Sequence, residues 1–245
     1  MSLPYFVAEL RSGLAAGDSV TLDGEEAHHA VVRRIRVGER VALTDGAGTV
    51  AECTVTATGK RMTEVTVEQV RHVPAETPRL LVVQAIPKGD RGELAVEMLT
   101  EVGVDVVVPW AAARSVSVWR GERAAKALGR WRSTAREAAK QARRAWFPQV
   151  EEQATTAQVV ELLRTASVPV VLHEAASGPL ADLPVPGRGE IVIVVGPEGG
   201  LADEELAAFA EAGAEPVRLG SSVLRTSTAG VAAAAALLAR TPRWR

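Results

Sequence analysis

Two short glycine-bearing segments hold the residue types best suited to chemistry in this chain. Gly196-Pro197-Glu198-Gly199-Gly200 follows the apolar stretch 191–195. Further on, Leu219-Gly220 leads into Leu224-Arg225-Thr226-Ser227-Thr228-Ala229 at the mouth of an alanine-rich run. Glycine permits positive φ and lets a ligand approach the backbone closely. Two such turns at the ends of neighbouring strands would form a cleft lined by main-chain groups, suited to a small nucleotide-like cofactor. Either turn alone reads equally well as an ordinary strand-to-helix connection.

Other familiar signatures fail on context. Gly46-Ala47-Gly48-Thr49-Val50-Ala51 has the start of a dinucleotide-binding spacing, but a β-like segment follows it instead of a helix, so it reads as a hairpin turn. No Gly-Lys-Ser/Thr phosphate loop and no Gly-x-Ser-x-Gly elbow occurs. One cysteine and four histidines do not fall at ligand spacing, so no metal site is expected.

The net charge of −2 conceals a strong asymmetry. Residues 114–144 carry ten basic side chains against Glu122 and Glu137, and a second cluster comprises His28, His29, Arg33, Arg34, Arg36 and Arg40. Basic patches on an otherwise acidic chain suit a polyphosphate partner, because neutralising each phosphate releases counterions. A solvated helix face is the alternative for either run taken singly.

The elements that must position these residues fall into two groups. Segments 40–44, 49–57 and 63–70 alternate apolar and polar residues, with Asp45-Gly46 and Thr58-Gly59 marking turns, so the first seventy residues read as a small β-barrel or curled sheet. Val73-Pro74-Ala75-Glu76-Thr77-Pro78 lacks periodicity and reads as a linker. Beyond it, strands are expected at 80–86, 105–109, 168–172, 191–195 and 216–219. Helices are expected at 90–102, 155–167, 203–213 and 226–240, together with a basic helix whose apolar face runs Leu128, Trp131, Ala135, Ala138, Ala142, Trp146. Continuous apolar strands between amphipathic helices imply a parallel sheet covered on both faces, hence an α/β fold. No run of about 18 apolar residues could span a bilayer. Met1-Ser2-Leu3-Pro4-Tyr5 does not look like a secretory signal, and Cys53 is the sole cysteine; a cytoplasmic protein without membrane partners is expected.

Several stretches together resemble a family. Lys88-Gly89-Asp90-Arg91, Glu101-Val102-Gly103-Val104, Pro109, Arg114-Ser115-Val116, Glu137-Ala138-Ala139-Lys140-Gln141 and the two C-terminal motifs are similar to those of RsmE-type 16S ribosomal RNA uridine N3-methyltransferases of the SPOUT superfamily. The stretch from His28-His29 to Gly48 resembles that family's PUA-like RNA-binding domain. The resemblance runs nearly end to end. It implies a PUA-like β domain over 1–73, a linker over 74–79, and over 80–245 a SPOUT domain whose parallel sheet carries a trefoil knot, which periodicity would not reveal. It further implies S-adenosylmethionine as cofactor, 16S ribosomal RNA or the small ribosomal subunit as partner, and a homodimer.

Carried onto matching positions, the implied cofactor pocket uses Leu172, His173, Gly196, Pro197, Glu198, Gly199, Gly200, Leu219, Gly220, Val223, Leu224, Thr226 and Ala229. A valine at Gly199 is expected to fill space the cofactor needs. His173 is expected to contribute through its backbone. RNA-binding positions would be His28, Arg33, Arg34, Arg36, Lys88, Arg91, Arg114, Arg136, Lys140, Arg143 and Arg144. Methylating uracil N3 requires loss of the imide proton, and negative charge then gathers on O2 and O4, where a fixed cation lowers the barrier. Arg225 fits that role; it cannot be the base, because arginine stays protonated. Glu198 is the nearest carboxylate in sequence, and it could equally cap its turn or orient the cofactor. Two departures stand out: Ser227 occupies the family's acidic position, and Gln141-Ala142-Arg143-Arg144 replaces the usual Gln-x-Gly-Arg. A ribose 2′-O-methyltransferase of the same superfamily and a non-catalytic RNA-binding or ribosome assembly factor are the alternative readings.

Overall fold

The computed structural model describes residues 3–244, which divide into two compact units: the residues up to Ala75 together with Ala139–Phe147, and Glu76–Ala138 together with the residues from Pro148 onward.

The N-terminal unit contains β1 (Tyr5–Val7), β2 (Ser19–Leu22), α1 (Gly24–Val32), β3 (Arg40–Thr44), β4 (Thr49–Thr58) and β5 (Thr63–His72). They form a five-stranded sheet in the order β1-β3-β4-β5-β2, parallel at β1–β3 and antiparallel elsewhere. Register shifts at Glu52/Cys53 and Val55/Ala57 bend β4, as bulges do. Phe6, Leu43, Cys53, Val55, Val65 and Val67 form the unit's buried core. Burial first, and then the charges of Glu68 and Glu52, push the Cys53 thiol up to about 12. The Gly46–Gly48 segment is indeed the β3–β4 turn: both glycines have positive φ, and Asp45 Oδ1 accepts from the amides of Ala47 (2.8 Å) and Thr49 (3.0 Å). β1, β2 and α1 were not foreseen within an all-β reading. The first two are short, and α1 buries only Glu26, Ala27 and Ala30, too little apolar bulk to register as a helical period.

The C-terminal unit contains β6 (Arg79–Ala85), α2 (Arg91–Val102), β7 (Val106–Trp110), α3 (Glu122–Gln141), β8 (Gln149–Val150), α4 (Thr156–Thr165), β9 (Val168–Leu172), β10 (Gly178–Pro179), β11 (Glu190–Val195), α5 (Asp203–Glu211), β12 (Glu215–Arg218) and α6 (Thr226–Leu238); the last residues of α3 group with the N-terminal unit. Seven parallel strands lie in the order β10-β12-β9-β11-β6-β7-β8. Successive side chains of a strand point to opposite faces. Ile191, Ile193 and Val195 therefore join Leu80, Val82, Leu99, Trp131 and Leu237 on one side, while Val192 and Val194 join Leu81, Val83, Trp110, Leu163 and Phe209 on the other. From β12 the chain crosses back so that α6 packs on α2, β6 and β11. This arrangement brings the carboxyl ends of β9, β11 and β12 side by side.

The basic helix is shorter than its apolar pattern suggested. α3 ends at Gln141, leaving Ala142 and Trp146 beyond it, and the Trp146 indole donates to the Val73 carbonyl at 2.8 Å. The stop is a Schellman turn: Arg143 N–H donates to Lys140 O (3.1 Å), Arg144 N–H to Ala139 O (2.9 Å), and Arg143 adopts φ +55°. A non-glycine residue there carries a cost of order 1 kcal/mol.

Candidate functional site

A cavity of about 350 Å³ opens where three strand ends meet. Its wall is built from Leu172, His173 and Glu174 after β9, from 195–198 and 200–201 after β11, from 217–225 across the end of β12 and its loop, and from Thr226 and Ala229 on α6; Arg91 joins from the first turn of α2. This is the carboxyl edge of a parallel sheet, where ligands of open α/β folds bind. The two glycine-bearing turns, separate in sequence, thus face one space.

Local chemistry explains how each segment holds its course. A Cβ on Gly196 would lie 3.1 Å from Leu201 Cδ2, so the turn packs tightly against its own apolar neighbour. Gly200 (φ +72°) and Gly220 (φ +94°) occupy the left-handed region. Among the described residues, 219–224 form no main-chain hydrogen bond to one another or to the rest of the fold, so their amides and carbonyls are available to a ligand. Behind α6, the buried Gln84 amide donates to Thr226 O at 3.3 Å and Ala85 O at 3.1 Å, pinning the start of the helix. Glu198 accepts the Lys88 amide at 3.3 Å and so ties the β6–α2 connection to the turn after β11.

Of the thirteen residues expected to line a cofactor pocket, twelve line this cavity. Gly199 does not. A Cβ there would lie 3.0 Å from Arg114 O and 3.2 Å from Arg114 Cβ, so its missing side chain serves close packing on the loop after β7 instead of space for a ligand. That loop is fixed in turn: Arg114 Nη1 donates to Leu201 O (2.9 Å), and buried Glu205 accepts the amides of Ala113 (2.8 Å) and Ala202 (3.0 Å). His173 donates its amide to Val217 O (2.9 Å), and its Nδ1 accepts the Ala175 amide (3.2 Å).

Arg225 is exposed at the N-cap of α6, and no carboxylate pairs with it among the described residues. Its carbonyl accepts the amides of Thr228 and Ala229, both at 2.9 Å, which leaves the guanidinium free beside the cavity. Arg91 and Arg218 also line the cavity, as does Glu174 together with Glu198. Arg91 was expected on the RNA side; Arg218 and Glu174 were not singled out, although each directly adjoins a predicted cofactor residue. Ser227 is buried at 4 % exposure behind the cavity wall.

The predicted RNA-binding set divides between the units. His28, Arg33, Arg34, Arg36, Lys140, Arg143 and Arg144 belong to the N-terminal unit, and Lys88, Arg91, Arg114 and Arg136 to the C-terminal one. Within the basic helix, Arg130 pairs with Glu93 (2.8 Å) and Arg132 with Glu152 (3.0 Å), so part of that charge run is structural. Among the described residues there is no cluster of three or more potential metal ligands, and no helix is long and apolar enough to cross a membrane.

Comparison with known proteins identifies the family. Residues 75–238 match the family described as RNA methyltransferase domain, and residues 22–68 match the RNA methyltransferase PUA domain. The chain is 44% identical over 233 residues to ribosomal RNA small subunit methyltransferase E of Mycobacterium bovis, covering 93% of this chain and 89% of that protein. It is 29% identical to the Bacillus subtilis protein of the same name, covering 95% and 94%. The crystal structure of ribosomal RNA small subunit methyltransferase E from Neisseria gonorrhoeae bound to S-adenosyl methionine superposes with a TM-score of 0.86 at 30% identity, covering 98% of both chains.

Proposed function

Because this chain belongs to the RNA methyltransferase family, we propose that it methylates small-subunit 16S ribosomal RNA with S-adenosylmethionine, and that its target atom is N3 of a uridine. The observation that carries this reading is the convergence of the 196–200 and 219–225 segments on one cavity.

The cavity suits that cofactor. Its volume of about 350 Å³ falls in the range of small-molecule sites. Unengaged main-chain groups of 219–224 provide both donors and acceptors for an adenine edge, and Leu219, Val223 and Leu224 offer apolar surface. Leu172, His173, Gly196, Pro197, Gly200, Gly220, Thr226 and Ala229 complete the holding set, and Gly199 supports it by seating the Arg114 loop. When bound, S-adenosylmethionine supplies an electrophilic methyl group on sulfonium.

The chain's own residues then manage the uracil. As the N3 proton leaves, charge grows on O2 and O4; the unpaired Arg225 guanidinium, at the cavity edge, is placed to stabilise it more strongly in the transition state than in the ground state. Glu198 and Glu174 are the carboxylates on the cavity wall and the candidates to accept the proton. Positions 1–73, joined by 139–147, serve as the PUA-like RNA-binding domain and the rest of 80–245 as the catalytic domain, with 74–79 between them. His28, Arg33, Arg34 and Arg36, with Lys88, Arg91, Arg114, Arg136, Arg143 and Arg144, hold phosphates; Lys140, buried and paired with Glu26 at 2.8 Å, does not. A homodimer in the cytoplasm belongs to the same reading: Val223 (78% exposed) and Leu224 (37%) leave apolar surface that a second copy would cover.

Nucleoside analysis of small-subunit RNA from a deletion strain tests the reading. Loss of 3-methyluridine supports it, and loss of a ribose-methylated nucleoside instead would reassign the chemistry. Calorimetry with S-adenosylmethionine that shows no heat would leave an RNA-binding factor without catalysis.

A further inference from the structure

A second cavity, of about 360 Å³, lies wholly within the N-terminal unit. Tyr5, Arg33, Lys140, Gln141 and Arg143 supply its polar wall. Two helix ends deliver all of these but Tyr5, by the same device. α1 closes with Arg34 N–H to Val31 O (2.9 Å) and Ile35 N–H to Ala30 O (3.0 Å), and α3 with the Schellman bonds of Arg143 and Arg144; Arg34 and Arg143 both adopt φ +55° where glycine is the usual occupant. Strain held at a non-glycine residue points to a use for its side chain. At Arg143 that side chain lines the cavity.

The groups left available on this wall are donors. Arg33 Nε donates to His29 Nε2 (2.9 Å) and its Nη2 to Gln141 Oε1 (3.0 Å), so the guanidinium is fixed without a carboxylate partner. Gln141 accepts through Oε1, which leaves its amide hydrogens to give. The Tyr5 hydroxyl oxygen accepts from Arg71 at 2.9 Å, which leaves its own proton to donate. Lys140 is already paired with Glu26 at 2.8 Å, both side chains buried. No carboxylate pairs with Arg33 or Arg143 among the described residues. The wall therefore carries two guanidinium groups without a carboxylate partner, one of them fixed in place by His29 and Gln141. That is the complement of a phosphate group.

We propose that this cavity is a subsite for a backbone phosphodiester of the RNA substrate, and that Arg143 is kept in its left-handed conformation to supply one of its two free cations. The proposal rests on the reading of the chain as an RNA-modifying enzyme for the identity of the ligand, and not on the cofactor site.

The test uses the full chain and in vitro transcribed small-subunit ribosomal RNA, with affinity measured as salt is varied. Arg143→Gly removes the charge and relieves the backbone, so its melting temperature should equal or exceed wild type and its S-adenosylmethionine binding heat should match wild type. Its RNA affinity should fall, and the magnitude of the slope of log affinity against log salt should drop by about 1. Over a roughly fourfold rise in salt, the gap between wild type and variant then narrows about threefold. Arg143→Lys should keep the wild-type slope. An unchanged slope in Arg143→Gly overturns the proposal. So does competition by uridine 5′-monophosphate at constant ionic strength that erases the difference between the two proteins, since the cavity would then be a free-nucleotide site. Loss of 3-methyluridine activity or of cofactor heat in the wild-type chain would sink the catalytic reading while leaving the slope comparison intact, which separates the two failures.

Discussion

Gly199→Ala puts the packing behind the cofactor cavity to the test. The new methyl carbon would sit 3.0 Å from Arg114 O and 3.2 Å from Arg114 Cβ, closer than ordinary van der Waals contact, and the nearer neighbour is backbone and not the end of a flexible side chain. Relief needs the Arg114 main chain to retreat by a few tenths of an ångström. That segment is tied at both sides by Ala113 N–H to Glu205 (2.8 Å) and by Arg114 Nη1 to Leu201 O (2.9 Å), so retreat stretches both bonds. Overpacking of this kind costs roughly 1–3 kcal/mol. At about 2–4 °C per kcal/mol for a chain of this size, a central cost of about 2 kcal/mol lowers the melting temperature by about 4–8 °C. Gly200→Ala is the contrast: its φ of +72° is unfavourable for alanine, but nothing lies within 4 Å of the added carbon, so a backbone cost of about 1 kcal/mol is expected with no clash. Scanning calorimetry measures the melting temperatures, and titration calorimetry with S-adenosylmethionine well below them measures affinity. Gly199→Ala should melt early yet bind cofactor nearly as wild type does. An unchanged melting temperature together with abolished cofactor heat would refute the argument, because the missing side chain would then be facing the ligand and not Arg114.

Three further outcomes follow from named groups. Arg225→Ala removes an exposed, unpaired side chain while its capping carbonyl stays, so stability should change by no more than about 0.5 kcal/mol, whereas kcat should fall about 10²–10³-fold; single-turnover methyl transfer beside cofactor titration reads this, and a matching loss of cofactor affinity would reassign Arg225 to binding. Cys53, fully buried with its thiol pushed up to about 12, should resist iodoacetamide at pH 8 in the folded protein and react once urea unfolds it, as mass spectrometry would show. At Asp45, burial pushes the carboxyl up, but bonds from the Ala47 and Thr49 amides and the Thr49 hydroxyl outweigh it and hold it below 3.8. A depressed carboxylate contributes stability that is present above its unfolded pKa and lost as pH falls through the folded one. Asp45→Asn should accordingly flatten the melting temperature of the N-terminal unit between pH 4 and pH 2; a wild-type acid dependence in the variant would exclude this turn as a source.

Much of the fold was legible because its signals are local. The apolar runs at 80–86, 168–172 and 191–195 could only be strands buried on both faces, and the Asp45-Gly46 turn was set by side-chain-to-backbone bonds between near neighbours. Two segments lacked such a signal. α1 buries small residues, and β1 finds its register only by pairing with β3, whose sequence lies well beyond it. Trp146 continued a helical period that its chain does not follow, because the Schellman turn at Arg143 is set by backbone bonds, and an arginine there gives no warning of left-handed φ.

Residue types and order alone determined the glycines of both turns, the arginine next to the second, and the apolar strands that carry them, since each depends on interactions among residues close in the chain. The tertiary structure alone decided which of those residues share a space. It turned Gly199 away toward Arg114, brought Arg91, Glu174 and Arg218 onto the cavity wall, and set Arg33 and Arg143 around one pocket in the N-terminal unit. Those placements depend on contacts between segments far apart in sequence, and no local propensity encodes a distance of that kind.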